Sequence, residues 1–367
     1  MHPSLKPHNQ QGYSVIEMLI AASVMLIVTS AVVTLLRNSL TVATVAYEMT
    51  DAQENLRTAQ EWINRDLMNA GDGLKSMTYI PVNTTFIQNY LTRSPVADAT
   101  MPANASNLGI LVTDNNVPAG TTVPGPPLSG PSPQPSPTPI TLLTGSDRQT
   151  ILEIDPDLPT NPQIFPSSIS TNGDVITLPA TTTTADMARF SPGDIYFLTS
   201  ARGGTFGTIT ATDATLKTLT FATGDLCGLN TAPPNNRIKD IATGGATTLQ
   251  RMRIIQYFVD TGGLLRRRVY GERGAAFRDN VIAEHVLSVQ FVYSLGLDTA
   301  GNPVQPTDTI TTPEQQVNIS QVQVTVTVET PHALQQGSKS QISTTTSTSL
   351  RNMQFRQALQ PRPTPTP

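Results

Sequence analysis

The sequence predicts an α+β protein: one long N-terminal helix, about residues 14–70, packed on a mainly antiparallel β-sheet head with an extra β-rich subdomain. Three observations predict it. A polar leader runs into an apolar stretch, Met18–Leu36. The chain behind that stretch, residues 37–70, holds neither proline nor glycine. Beyond Gly71 the composition turns to Pro, Gly, Thr and Ser, with short alternating apolar segments between turn residues.

Residues 1–12 read as the leader, ending in Gly12, and Tyr13-Ser14-Val15-Ile16-Glu17 leads into the apolar run. A run of ~19 residues at 1.5 Å each is long enough to cross a hydrocarbon core, so residues 13–36 are expected to form a membrane-spanning helix. A carboxylate at its head costs roughly 2.5–3.5 kcal/mol to insert, which marks Glu17 as functional. A secretory signal would have a shorter apolar region followed by a small-residue cleavage site, and neither is present. A lipid-attachment cysteine is excluded because the single cysteine is Cys227. A plain membrane anchor explains the length but neither Gly12 nor Glu17. Lys6, with His2 and His8, stands before the run and Arg37 after it, so the charge balance gives no orientation.

Residues 37–70 continue the helix as an amphipathic stem. Leu56, Ala59, Ile63, Leu67 and Ala70 recur at spacings of three and four on one face. The stripe covers about two heptads, too short for a coiled-coil seam, so it is expected to pack on the head. Glu61 and Arg65 have the spacing of an i,i+4 ion pair, and Trp62 is expected to be a core anchor. Gly71 supplies the C-terminal stop.

The remaining chain divides into a first head part (71–123), a proline-rich spacer (124–139), a β-rich insertion (140–250), a C-terminal antiparallel sheet (251–352) and a flexible proline-rich tail (353–367). Expected strands lie at 174–178, 193–198, 207–211 and 216–221. Residues 253–259 and 264–270 form a hairpin around Gly262-Gly263, and further strands follow at 285–295, 321–329 and 343–350. In 321–329 the valines at 322, 324, 326 and 328 alternate with Gln323, Thr325 and Thr327, the pattern of a half-buried strand.

No motif for catalysis or metal binding stands out. The zinc-protease, serine-hydrolase and phosphate-loop patterns are absent, and two of the four histidines lie in the leader. Gly203–Gly207 reads as a turn. Glu153, Asp155 and Asp157 alternate in a way that suits calcium on a loop, but Pro156 interrupts them, and a solvated loop is the preferred reading. Arg266-Arg267-Arg268 reads as a solvated strand edge rather than a polyanion site, although alternation sends the middle residue to the other face. Cys227 reads as a buried hydrophobe. With 14% charged residues and a net charge of −4, bulk electrostatic binding of nucleic acid is not expected.

Gly12-Tyr13-Ser14-Val15-Ile16-Glu17 resembles the class III signal of type IV pilins and pseudopilins: a glycine, an aromatic residue, small or apolar residues, and glutamate five residues after the glycine. Tyr13 stands where phenylalanine is usual, and Ser14 and Val15 where threonine and leucine are commoner. Asn55-Leu56-Arg57 and the stretch Trp62–Gly71, with its Arg65-Asp66 pair, resemble the stem end of PilW-type minor pilins and J-type minor pseudopilins. So do the Tyr257-Phe258-Val259 to Arg267 hairpin and the closing Leu350-Arg351-Asn352. Thr34 stands where many major pilins have a kinking proline, which favours a minor subunit.

The resemblance implies cleavage after Gly12, methylation of the new amine on Tyr13, and pairing of Glu17 with a neighbour's amine in a filament. It implies as partners a prepilin peptidase/methyltransferase, other minor pilins, the major pilin and the inner membrane. The head would be periplasmic before assembly and on the pilus or cell surface afterwards. No cofactor, small-molecule substrate or enzymatic activity is implied. A minor pseudopilin of a type II secretion system shares these patterns. A tip adhesin, with the Thr-rich 140–250 region presenting a ligand surface, is a further alternative.

Overall fold

Helix α1 runs unbroken through 55 residues, Val15–Asn69. Its length follows from the absence of proline and glycine. Thr34 sits in regular helix, its hydroxyl donating to the Ser30 carbonyl at 2.8 Å. The stop is Gly71, which adopts a left-handed φ of +74° and donates its N–H to the Leu152 carbonyl at 2.8 Å.

The computed structural model describes residues 13–72, 74, 79–93, 105–125, 138–155, 164–232, 236–242, 246–272, 274–297, 302–310, 313–332 and 339–350. The leader with Gly12, most of the 124–139 spacer, Asp157, Arg351-Asn352 and the 353–367 tail lie outside the described residues.

After α1 the elements are β1 (Tyr79–Asn83), α2 (Thr84–Asn89), β2 (Ala105–Gly109), β3 (Leu111–Asp114), β4 (Thr122–Val123), β5 (Ile140–Thr141), β6 (Arg148–Ile154), β7 (Ser168–Ile169) and β8 (Val175–Thr177). They continue with α3 (Thr184–Met187), β9 (Ile195–Ser200), β10 (Gly203–Thr208), β11 (Ala211–Asp213), β12 (Thr218–Thr220) and α4 (Arg237–Ala242). The chain then forms β13 (Thr248–Val259), β14 (Leu265–Tyr270), β15 (Phe277–Ala283), β16 (Val286–Leu295), α5 (Pro313–Asn318), β17 (Ile319–Glu329) and β18 (Gln341–Ser349). Among the described residues every strand pairing is antiparallel. One long helix followed by antiparallel sheets is the expected α+β class.

The chain forms two units: residues 1–51 with 330–340, and residues 52–329 with 341–367. In the first, the described helix is solvent-facing throughout its apolar run, and His332 Nδ1 lies 3.0 Å from Glu48 Oε1. In the second, a seven-stranded sheet is built around β13, whose twelve residues are all buried. Residues 248–252 of β13 pair with β9, 252–257 with β6 and 254–259 with β14. A three-stranded sheet, β16-β17-β18, and the stem residues of α1 share one apolar core with it. Leu56, Ala59, Ile63, Leu67 and Ala70 are all in that core, as the spacing predicts. Burying each large aliphatic among them contributes about 1.5–3 kcal/mol. A second core holds Ile176, Leu219, Phe221 and Ile238 around the small sheet β11-β12-β8-β7.

Several local expectations are corrected. Gly203–Gly207 is the body of strand β10, because Gly207 lies against Phe221 and Ile238, where a Cβ would meet ring carbon at 2.8 Å. Glu61 pairs with Arg57 at 2.9 Å rather than with Arg65. Trp62 is half-buried and outside the core, held between two guanidinium groups. Arg266-Arg267-Arg268 is no solvated edge, since β14 lies between β13 and β15 and Arg268 is fully buried. Glu153 and Asp155 are no solvated loop: Glu153 sits on β6 at 0% exposure and Asp155 is buried just after it.

Candidate assembly surface

At the N-terminal end of α1 two side chains close the helix. Ser14 donates its N–H to Glu17 Oε2 at 3.0 Å, and the Ser14 hydroxyl accepts from the Ile16 N–H at 3.4 Å. This is close to the Ser-x-x-Glu capping box, which satisfies backbone donors that have no partner within the helix. The sequence reading singled out Glu17 for its charge and missed this local role, although the three-residue spacing from Ser14 was the available signal. Glu17 is exposed, and Oε1 has no partner among the described residues. Tyr13 is exposed one residue before the cap.

Behind Glu17 the helix presents Ile16, Met18, Leu19, Ile20, Met25 and Leu26 to its surroundings, all at least 60% exposed. The segment is long and apolar enough to cross a membrane. Three of its hydroxyl side chains, on Ser23, Thr29 and Thr34, are satisfied within the helix. Ser23 donates to the Leu19 carbonyl at 2.8 Å and Thr29 to the Met25 carbonyl at 2.7 Å. In lipid such internal satisfaction is required, because no water is present to take these donors.

The other end of α1 is fixed by charge. Asp66, at 1% exposure, accepts from the Tyr257 hydroxyl and from Arg267 Nε, each at 2.6 Å. Trp62 lies one turn earlier, with the Arg65 guanidinium 4.1 Å and the Arg267 guanidinium 5.1 Å from its ring centroid. Gln60 and Asn64 tie the same helix to β18, through Gln60 Nε2 to the Thr344 carbonyl at 3.0 Å and Thr348 Oγ1 to Asn64 Oδ1 at 2.6 Å. The alternation on β14 does send Arg267 to the helix face, while Arg266 and Arg268 turn the other way to Asp260 and Asp279, each at 2.7 Å. Asp66, Tyr257 and Arg267 are brought together from 191 and 201 residues apart, a pairing the Arg65-Asp66 motif did not reveal.

Glu153 completes this cluster in an unusual way. Its two carboxyl oxygens are buried and have no hydrogen-bond partner among the described residues. Burial, reinforced by the negative charge of Asp66, pushes its pKa up to about 8 against the pull of Arg253, Arg267 and Arg65, so it is protonated at neutral pH. Burial and the Asp66 charge likewise hold the Tyr257 phenol well above its usual range. For Arg267, burial works against the charge, but the hydrogen bond and charge of Asp66 outweigh it and keep the guanidinium firmly protonated. Elsewhere Asp155 pairs with Arg251 at 3.2 Å and Arg253 at 2.7 Å, so the carboxylate offered for calcium is used by arginines. No group of three metal-capable side chains occurs among the described residues. Cys227 is fully buried, and its thiol is pushed up to about 12, first by burial and then by Asp225. It is inert as a nucleophile there.

No family model and no curated protein matches the chain. Among solved structures, a type IV-like pilin from Thermus thermophilus aligns at 14% identity over 46% of this chain and 90% of its own, with a TM-score of 0.19. At that score the alignment carries no weight, and the functional reading rests on the residues described above.

Proposed function

We propose that the chain is a minor pilin of the PilW type, processed by a prepilin peptidase and taking part in priming or capping a type IV pilus. The observation that carries the reading is Glu17 at the head of an exposed, membrane-length apolar segment that continues without a break into a helix buried in a β-sheet core. A simple anchor needs neither the carboxylate nor the uninterrupted stem.

On this reading cleavage after Gly12 leaves an ammonium group on Tyr13, one residue before the cap. In low dielectric an ion pair with a neighbour's carboxylate is favoured once both partners leave the lipid. Glu17 suits it: the residue is exposed, one oxygen caps its own helix through Ser14, and the other has no partner among the described residues. Its partners would be the peptidase/methyltransferase, the major pilin and fellow minor pilins. Mass spectrometry of the N-terminal peptide from membranes with and without the peptidase tests the first step, with methylated Tyr13 expected only when the peptidase is present. Glu17→Ala is expected to be cleaved normally and to be missing from sheared pili. Its recovery there at wild-type level would refute the assembly role.

A further inference from the structure

The β16-β17-β18 sheet has two edges, and the fold treats them differently. On β16 outward backbone groups along the strand are taken: Val289 N–H by Ser146 Oγ at 3.0 Å, Phe291 N–H by Asp147 Oδ2 at 2.7 Å, and Tyr293 by reciprocal bonds with Thr307. The β10 edge is met by Asn230, whose Oδ1 accepts from Thr208 N–H at 2.9 Å. β15 carries Arg278 and Asp279, the charged side chains that commonly guard an edge. β18 has none of this. Its nine residues, Gln-Ile-Ser-Thr-Thr-Thr-Ser-Thr-Ser, include no charge and no proline, and its register with β17 runs without a bulge.

The orientation of its backbone follows from the ladder. Leu350 donates to Ser320 and Thr330 to Ser340, which fixes the even-numbered residues of β18 as the ones bonded to β17. The N–H and C=O of Gln341, Ser343, Thr345 and Ser347 therefore point away from the sheet, and none of them has a partner among the described residues. We infer that this edge is a strand-addition site for an extended, uncharged segment of a second, different polypeptide, which it binds as a fourth strand next to the stem helix.

Charge selects the occupant. Opposite Ser343, Thr345 and Ser347 the β17 side chains are Thr327, Thr325 and Gln323, all uncharged, and the one charge in the row is Glu329, opposite Gln341 at its end. A charged side chain set beside Ser343, Thr345 or Ser347 would lose water and find no counter-ion on the facing β17 residues, so a neutral strand is favoured there. A second copy fits poorly. Pairing β18 with β18 antiparallel places a twofold axis through the sheet and turns the two α1 helices in opposite directions, which two chains anchored in one membrane cannot satisfy. This exclusion rests on the anchored-subunit reading above; the vacant edge does not.

The test uses the full chain in the membranes of cells that express it. Ser343, Thr345 and Ser347 are replaced one at a time by a benzophenone-bearing amino acid, with Asn280 on β15 as control, and the adducts are mapped. The expected result is a ladder, in which the three sites cross-link to one polypeptide at positions stepping by two residues through an uncharged segment. Ser343→Pro with Ser347→Pro removes two outward donors and spares the β17 ladder, and should cut the Thr345 adduct at least tenfold. Thr345→Lys serves if the proline variant loses protease resistance, with loss of the adduct from the Ser343 and Ser347 sites expected. No adduct, an adduct of twice the chain's own mass, cross-links without two-residue steps, or adducts that survive these substitutions overturn the inference. The N-terminal peptide is read from the same membranes. Cleavage after Gly12 without a ladder sinks the edge site alone, and a ladder without cleavage sinks the pilin reading alone.

Discussion

Glu153 and Asp66 set the chemistry at the scale of single residues, because both are carboxyls in one dry cluster and only Asp66 is hydrogen-bonded. The raised pKa of Glu153 has a consequence for stability. Between its ordinary 4.5 and the folded value of about 8, the folded chain holds a proton that the unfolded chain has released. Stability therefore falls as pH rises through that window, by an amount on the order of 5 kcal/mol. Glu153→Gln removes the titration, so the variant should match the wild type near pH 4.5 and exceed it at pH 8 in denaturant midpoint. A wild-type midpoint that does not fall over this range would refute the buried-acid account. Asp66→Asn should cost about 3–5 kcal/mol, since it leaves Arg267 buried without its partner. In that variant the pH-dependent loss from Glu153 should also become smaller and end at lower pH, because the repelling charge is gone.

At the scale of elements, the stem is the part whose behaviour was most legible in the sequence. The spacing of Leu56, Ala59, Ile63 and Leu67 predicts a buried face, and all four lie in the core. Leu67→Ala is expected to lower stability by about 2–5 kcal/mol, measured by denaturant unfolding of the detergent-solubilised chain. Met68, one position on and 52% exposed, should tolerate Met68→Ala within about 0.5 kcal/mol. The hairpin β13–β14 was equally legible, because Gly262-Gly263 marks its turn between segments rich in β-branched and aromatic residues. The strand β10 was not. Glycine reads locally as a turn signal, and only the approach of Phe221 and Ile238 explains why Gly207 belongs in a strand.

At the scale of the whole molecule, the two units make different demands on solvent. Residues 13–51 present an apolar helix to their surroundings, whereas residues 52–329 with 341–350 close their own apolar core. The full chain should stay in the membrane fraction through alkaline carbonate washing. A chain that begins at Ala52 should be soluble and retain a single cooperative unfolding transition. Recovery of that shorter chain only as aggregate would show that the core needs residues before Ala52.

The sequence by itself determined the class of the fold, the helix from Ser14 to its glycine stop, the buried stripe, the valine face of β17 and the singular position of Glu17. Each is a property of neighbours in the chain, carried by periodicity, capping and the cost of a charge in an apolar run. The tertiary structure alone decided that Arg268 and Glu153 are buried and that β6 and β9 share β13. It also set Asp66 on Tyr257 and Arg267, and left one edge of the last sheet without partners among the described residues. These depend on strand register and on loss of water, which residues more than a hundred positions apart impose on one another and which no local pattern encodes.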